Sequence, residues 1–234
     1  MNQIVFFWKG ENLSIPEFFV KSIKNKASKK YTIIQISDYN TNKIEGVDKY
    51  INANLPNDIM TARLKGYSLV ETKNTKTIFC DADSLMTSDI NFSNFDTGYH
   101  LMKRQNNSLI NHRHPEYFPE FKNKYFMDVM PFLFGAIVIC NKDNFFIDLY
   151  KICMKLPLRF QRWYGDQISL HIFYLDNKSQ FHFFDQHNYM HIIDKKDNNP
   201  KKTINYLIDQ KIPFVTFKGS KTKKKIEEFY TFLK

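Results

Sequence analysis

The sequence predicts an α/β fold, a mixed and mostly parallel central sheet flanked by helices in one domain of 234 residues. Three observations carry that expectation. The first 83 residues alternate extended and helical patterns, the order from which parallel sheets are built. The extended runs are wholly apolar rather than alternating, as in strands covered on both faces. No internal repeat, heptad pattern or low-complexity linker interrupts the chain.

Ile4-Val5-Phe6-Phe7 is the first such run, ended by Lys9-Gly10. Pro16 suits the first turn of a helix, and Ile15, Phe18, Phe19 and Ile23 recur at helical spacing as far as Lys26. A second strand follows at Tyr31 to Ile36. After a polar stretch containing Gly46 and Pro56, the capping residues Asn57 and Asp58 open a helix to Val70, with Ile59, Met60, Leu64 and Tyr67 on its apolar face. Thr77-Ile78-Phe79-Cys80 is the next strand.

The remainder carries strand patterns at Tyr99 to Lys103, Phe132 to Cys140, Phe181 to Phe184 and Phe214 to Phe217. Helical spacing recurs from about Asp143 to Lys155 and from Tyr164 to Tyr174. Ile226, Phe229, Tyr230 and Leu233 form the apolar face of a terminal helix.

Hydrophobic residues make up 43% and aromatics 16%, a composition that builds a core and excludes a disordered chain. A formal charge of +10 favours an anionic partner, whether nucleotide, nucleic acid or acidic membrane. Cys80 and Cys140 lie in apolar runs and, with Cys153, read as buried thiols of a reducing compartment. The first residues carry no basic stretch followed by a long apolar one, and no apolar run approaches the roughly 20 residues of a membrane span. The expected location is the cytoplasm. A lysine-rich approach to the amphipathic terminal helix adds a peripheral contact with an anionic membrane.

Asp81-Ala82-Asp83 follows the third apolar run directly. Residues i and i+2 of an extended segment point the same way, so both carboxylates can share one ion. Hard divalent cations such as Mg²⁺ or Mn²⁺ take oxygen ligands and bridge one or two carboxylates to nucleotide phosphates. Ligands of parallel sheets gather outside the carboxyl ends of the strands, where this pair stands. Asp-x-Asp is equally a turn or helix-capping pattern.

Five blocks, in order, resemble the GT-A class of nucleotide-sugar glycosyltransferases, and most closely its glycogenin-like and lipopolysaccharide galactosyltransferase-like group. They are Ile4 to Phe7 with Trp8 behind; Thr61-Ala62-Arg63-Leu64; Ile78-Phe79-Cys80-Asp81-Ala82-Asp83-Ser84-Leu85; Phe134-Gly135-Ala136-Ile137-Val138-Ile139; and Tyr164-Gly165-Asp166-Gln167. The resemblance implies a GT-A, Rossmann-like fold, with residues 1–83 as its nucleotide-binding half and 84–234 as its acceptor-binding half. It implies metal-dependent transfer of a sugar from a nucleotide-diphosphate sugar to a glycan or lipid-linked acceptor, in surface polysaccharide or glycoconjugate synthesis. Asp81 and Asp83 would hold Mn²⁺ or Mg²⁺, Trp8 would meet the base, Arg63 would reach the donor, and Asp166 and Gln167 would stand beside the transferred sugar.

The chain departs from the group near its end. Where those enzymes often carry His-x-x-Gly-x-x-Lys, this sequence reads Thr216-Phe217-Lys218-Gly219-Ser220-Lys221-Thr222. Thr216 replaces the metal-binding histidine, His187 or His191 would have to supply an imidazole, and Lys218 or Lys221 would grip the diphosphate. His112-Arg113-His114 reads as a surface loop. Two other classes stay open: a nucleotidyltransferase, although Gly10 alone stands where a Gly-rich phosphate loop would, and a basic nucleic-acid-binding module, which no recognition motif supports.

Overall fold

The computed structural model describes residues 1–27, 31–105, 107–110, 118–194 and 197–233. His112-Arg113-His114 lies outside them. The strands are β1 (Asn2–Phe7), β2 (Thr32–Ser37), β3 (Lys49–Asn52), β4 (Lys76–Asp81), β5 (Ser84–Met86), β6 (Gly98–Lys103), β7 (Phe132–Cys140), β8 (Phe181–Asp185), β9 (Met190–Ile193) and β10 (Phe214–Phe217). The helices are α1 (Ser14–Lys26), α2 (Ile59–Tyr67), α3 (Phe126–Val129), α4 (Phe145–Lys155), α5 (Leu158–Arg162), α6 (Gly165–Asp176), α7 (Gln186–Tyr189), α8 (Pro200–Asp209), α9 (Ser220–Lys223) and α10 (Ile226–Thr231).

Among the described residues, seven strands form a central sheet in the order β3-β2-β1-β4-β7-β6-β8. β7 alone runs against its neighbours, so the sheet is mixed and mostly parallel, as expected. Alternate residues of its strands build two cores. Val5, Phe7, Phe79 and Ile137 meet α2, α4 and α6 on one face. Ile4, Phe6, Ile78 and Val138 meet Phe19, Val20 and Ile23 of α1 on the other.

A second sheet, β5-β10-β9, follows Asp83 directly, with Ser84 opposite Thr216. It packs on α8 and α10 around Leu85, Leu207, Val215 and Phe229. Ile226, Phe229, Tyr230 and Leu233 are buried in that third core. The apolar face assigned to membrane contact is therefore turned into the domain's own interior. None of the described helices is long and apolar enough to cross a membrane.

The strand β3 falls in the stretch read as polar and irregular. It is a short sheet-edge strand, half-buried at its centre and exposed at both ends, so no apolar run marks it. The helix expected from Asn57 to Val70 is confined to α2. Asp58 stands at its N-cap without a side-chain capping bond, and its carboxylate lies 3.7 Å from Arg162 instead.

Candidate functional site

β1 and β4 are adjacent and parallel, with Phe7 opposite Asp81. The chain leaves β1 for β2 on one side and later enters β4 on the other, which makes this pair the topological switch point, where a crevice opens at the carboxyl ends. Trp8 and Lys9 extend past β1, and Asp81 closes β4. Asp83 follows at the hinge into the second sheet, its carbonyl accepting the Phe217 amide at 2.9 Å. β10 is thereby clamped to the acidic segment, which brings Lys218 to it across 137 residues of chain.

Close approach by α2 completes the cluster. A Cβ at Gly66 would lie 2.8 Å from Ile36 and 3.5 Å from Phe7, so glycine lets the helix settle on the sheet. Arg63, one turn earlier, then reaches two carboxylates. Its guanidinium donates to Asp81 at 2.8 Å and to Asp166, and its Cζ lies 4.4 Å from the centre of the Phe134 ring. Lys218 contacts Asp81 and stands 3.9 Å from Asp83, and Lys223 lies 2.9 Å from the other Asp83 oxygen.

Three carboxylates and three cations thus balance within one cluster. Burial pushes the Asp81 carboxyl upward, but Lys218 and Arg63 together outweigh it and hold the group below the usual carboxylate range. Burial likewise draws Lys218 down, and Asp81 and Asp83 more than reverse it, keeping the ammonium charged.

Two clefts adjoin at Arg63 and Asp81. One, of about 370 Å³, is bounded by Trp8, Lys9, Ile59, Asp83 and Lys223. The other, of about 340 Å³, is bounded by Arg104, Phe134, Gly135, Gln167, Met190 and Lys218. Gly135 keeps the second open: a Cβ there would lie 3.2 Å from Met190 and 3.5 Å from Asp81. Trp8 presents its ring to the first cleft while its indole N–H donates to Asn12 O at 3.0 Å.

Several residues stand differently from the sequence expectation. Asp166 is fully buried, with one carboxylate oxygen on Arg63 and the other accepting the Gln167 amide at 2.7 Å. It therefore positions Arg63, and its neighbour Gln167 is the one that lines a cleft. Lys221 is exposed and lines neither cleft; Lys223, on the same short helix, holds Asp83 in its place. Thr216 directs its hydroxyl toward the Asp83 carbonyl at 3.4 Å, away from the carboxylates.

The two histidines are also displaced from the cluster. Met190 and Ile192 of β9 line the second cleft, so His191 between them faces the opposite side, 3.6 Å from Asp197. His187 stands in the first turn of α7 and lines neither cleft. Neither histidine is among the residues that line the two clefts at Asp81 and Asp83.

Arg104 and Lys223 line the clefts although the sequence does not single either out: Arg104 carries no motif, and Lys223 reads there as part of a solvated lysine face. Arg104 follows β6, donates to Met130 O at 2.7 Å and to Gln167, and fixes that amide at the cleft. Burial lowers its guanidinium below the ordinary value. No local pattern marks it, because its partner is 63 residues away. Lys223 is hidden in a lysine run; α9 follows a turn at Gly219, φ 84°, and it is Lys223 of that helix that reaches Asp83.

The donor set fits a divalent ion shared with a substrate. Asp81 and Asp83 offer hard carboxylate oxygens, and Asp83 Oδ1 is buried without a hydrogen-bond partner. Among the described residues no group of three or more His, Cys, Asp or Glu side chains encloses a metal. Remaining ligands would come from a phosphate and water, the usual arrangement for Mg²⁺.

Tight packing behind the cluster makes one prediction. A Cβ at Gly165 would lie 2.5 Å from Phe160 O and 2.8 Å from Cys153 Sγ, at the start of the helix that carries Asp166. Gly165→Ala is expected to destabilise the protein by about 1–3 kcal/mol in urea unfolding, through overpacking.

No protein-family model matches the sequence, and no curated protein matches it. Solved structures do match in fold. The apo structure of the bifunctional glycosyltransferase WbbM aligns over 97% of this chain at 14% identity and TM-score 0.60, and this chain spans about half (49%) of its length. The galactosyltransferase LgtC in complex with donor and acceptor sugar analogues aligns over 98% of this chain and 95% of LgtC, at 12% identity and TM-score 0.58. An active-site mutant of LgtC aligns at TM-score 0.56 and 12% identity. The GT-A expectation is met at the level of architecture: this chain has the fold of these glycosyltransferases.

Proposed function

We propose that this chain is a glycosyltransferase that moves a sugar from a nucleotide-diphosphate sugar to a hydroxyl of a glycan or lipid-linked acceptor, in surface polysaccharide or glycoconjugate synthesis. The observation that carries the reading is the balanced cluster of Asp81, Asp83, Arg63 and Lys218 at the switch point between two adjoining clefts. Its fold neighbour LgtC holds donor and acceptor sugar analogues, which supports a site of two parts. The basic charge of the chain suits a diphosphate.

In this reading residues 1–83 serve the nucleotide and the later residues supply most of the acceptor side. The base lies along Trp8 in the first cleft, and the sugar enters the second beside Gly135 and Gln167. Cleavage of the anomeric C–O bond leaves negative charge on the diphosphate. Arg63, Lys218 and Lys223 stabilise that charge by hydrogen bonds that strengthen as it develops. Asp166 orients Arg63, and Arg104 orients Gln167, so both groups meet the substrate preformed. Asp81 and Asp83 would hold Mn²⁺ or Mg²⁺, which when bound supplies a Lewis acid toward the leaving group.

A panel of nucleotide sugars and their nucleoside diphosphates, scored by thermal shift with and without Mn²⁺, tests this. At least one is expected to raise the melting temperature, and by more with Mn²⁺ present. Stabilisation by single-stranded oligonucleotides with none from any nucleotide sugar would contradict the reading and favour a nucleic-acid-binding module.

A further inference from the structure

We infer that Lys218 is a tethered cation that closes the Asp81 and Asp83 pair to free divalent ions, so that a metal enters only together with a diphosphate that draws the lysine away. The inference rests on the diphosphate reading above and concerns how that same site is loaded.

The geometry places the ammonium where an ion bridging the pair would sit. Lys218 Nζ touches Asp81 Oδ2 and lies 3.9 Å from Asp83 Oδ1. The two outer oxygens are taken by other cations: Asp81 Oδ1 by Arg63 at 2.8 Å and Asp83 Oδ2 by Lys223 at 2.9 Å. Asp83 Oδ1 is left as the buried oxygen without a hydrogen-bond donor, although Asp83 is only 9% exposed.

The root of the lysine is fixed, whereas its flexible stem lets the paired ammonium exchange partners. Phe217 is bonded through its amide to the Asp83 carbonyl, and Thr222 donates to the Lys218 carbonyl at 2.5 Å, so the backbone cannot drift from the acids. The side chain itself is 43% exposed and also lines the second cleft, where its four-carbon stem can carry the ammonium.

Charge decides what can displace it. A free Mn²⁺ must expel the ammonium and then sit beside Arg63 and Lys223, leaving the cluster with one uncompensated positive charge. A diphosphate arriving with the ion cancels that excess and gives Lys218 a new partner. Metal and nucleotide therefore bind with positive coupling, which is reciprocal by thermodynamic necessity.

Manganese binding to the full chain, followed by the electron paramagnetic resonance signal of free Mn²⁺, tests the inference. Lys218→Gln is expected to bind Mn²⁺ alone at least tenfold tighter than the wild type, whereas Lys218→Arg binds it as weakly as the wild type. UDP, GDP, CDP and ADP are added in parallel, with their own Mn²⁺ binding subtracted. The best of them is expected to tighten Mn²⁺ at least tenfold in the wild type and less than threefold in Lys218→Gln. Equal Mn²⁺ affinity of Lys218→Gln and wild type without nucleotide, with both binding when nucleotide is present, would overturn the gate and leave the metal site standing. No Mn²⁺ binding by either protein under any condition would overturn the gate and the metal role together.

Discussion

Arg63→Met is expected to destabilise the fold by about 3–5 kcal/mol and to abolish sugar transfer, the largest combined effect of any single substitution at this site. The stability loss follows from Asp166, which is fully buried and has Arg63 as its counter-charge. Removing one member of a buried ion pair leaves the other charged in a poor solvent, and that costs far more than the pair contributes. Lysine is no substitute, because a single ammonium cannot fork between Asp81 and Asp166 as the guanidinium does. Urea unfolding followed by circular dichroism measures the loss. Asp166→Asn added to Arg63→Met is expected to recover part of it, since the orphaned charge is gone. A single variant within about 1 kcal/mol of wild type would contradict the role.

Arg63 also sets an acid limit, through its contact with Asp81. Burial raises the Asp81 carboxyl, but Lys218 and Arg63 outweigh burial and lower it relative to the unfolded chain. A group depressed on folding stabilises above its unfolded value, about 3.9 for Asp, and that contribution is lost as pH falls through the lowered folded value. With Arg63 removed, the depression shrinks and acid unfolding is expected to begin at higher pH, read from pH titrations of the far-ultraviolet signal.

Asp81→Asn is expected to lower kcat by about 10²–10³-fold, the range seen when one preorganised electrostatic group is removed. Asp81 borders both clefts and touches both Arg63 and Lys218, so its loss loosens the two cations that meet the diphosphate and one of the two proposed metal ligands at once. Stability is expected to fall less than in Arg63→Met, because Lys218 can turn to solvent and Arg63 retains Asp166. Steady-state rates with the nucleotide sugar that most stabilises the chain measure the effect. A variant that stays folded with kcat within threefold of wild type would remove Asp81 from the chemistry.

How much of this was legible in the sequence depended on how local each signal was. β1, β2 and β4 are buried on both faces, so each reads as an unbroken apolar run, and their alternation with α1 and α2 specified a parallel sheet. β5 was not legible: three residues directly behind the acids become a strand only by pairing with β10, some 130 positions later. α8 buries only Ile204 and Leu207 beyond its opening Pro200, too few anchors to declare a helix.

The site divided along the same line. Asp81, Asp83 and Arg63 stand in patterned segments and do converge. Asp166 was legible as a residue of interest, but the sequence could not show that it lies behind Arg63 rather than in the open cleft. Lys223 and Arg104 depend on a turn at Gly219 and on a contact between distant elements. The terminal helix shows the limit of amphipathicity as a signal, because one apolar face suits a membrane or a core, and here β10 and α8 cover it.

The most direct measurement is diffraction at the manganese absorption edge from crystals grown with Mn²⁺ and the nucleoside diphosphate that stabilises the chain most. The expected result is an anomalous peak touching both Asp81 and Asp83, with the diphosphate on its open side, the base along Trp8, and Lys218 moved onto phosphate. A nucleotide bound away from this pair, or a diphosphate lying in neither cleft, would contradict the proposal that the acidic pair and its cations form a sugar-donor site.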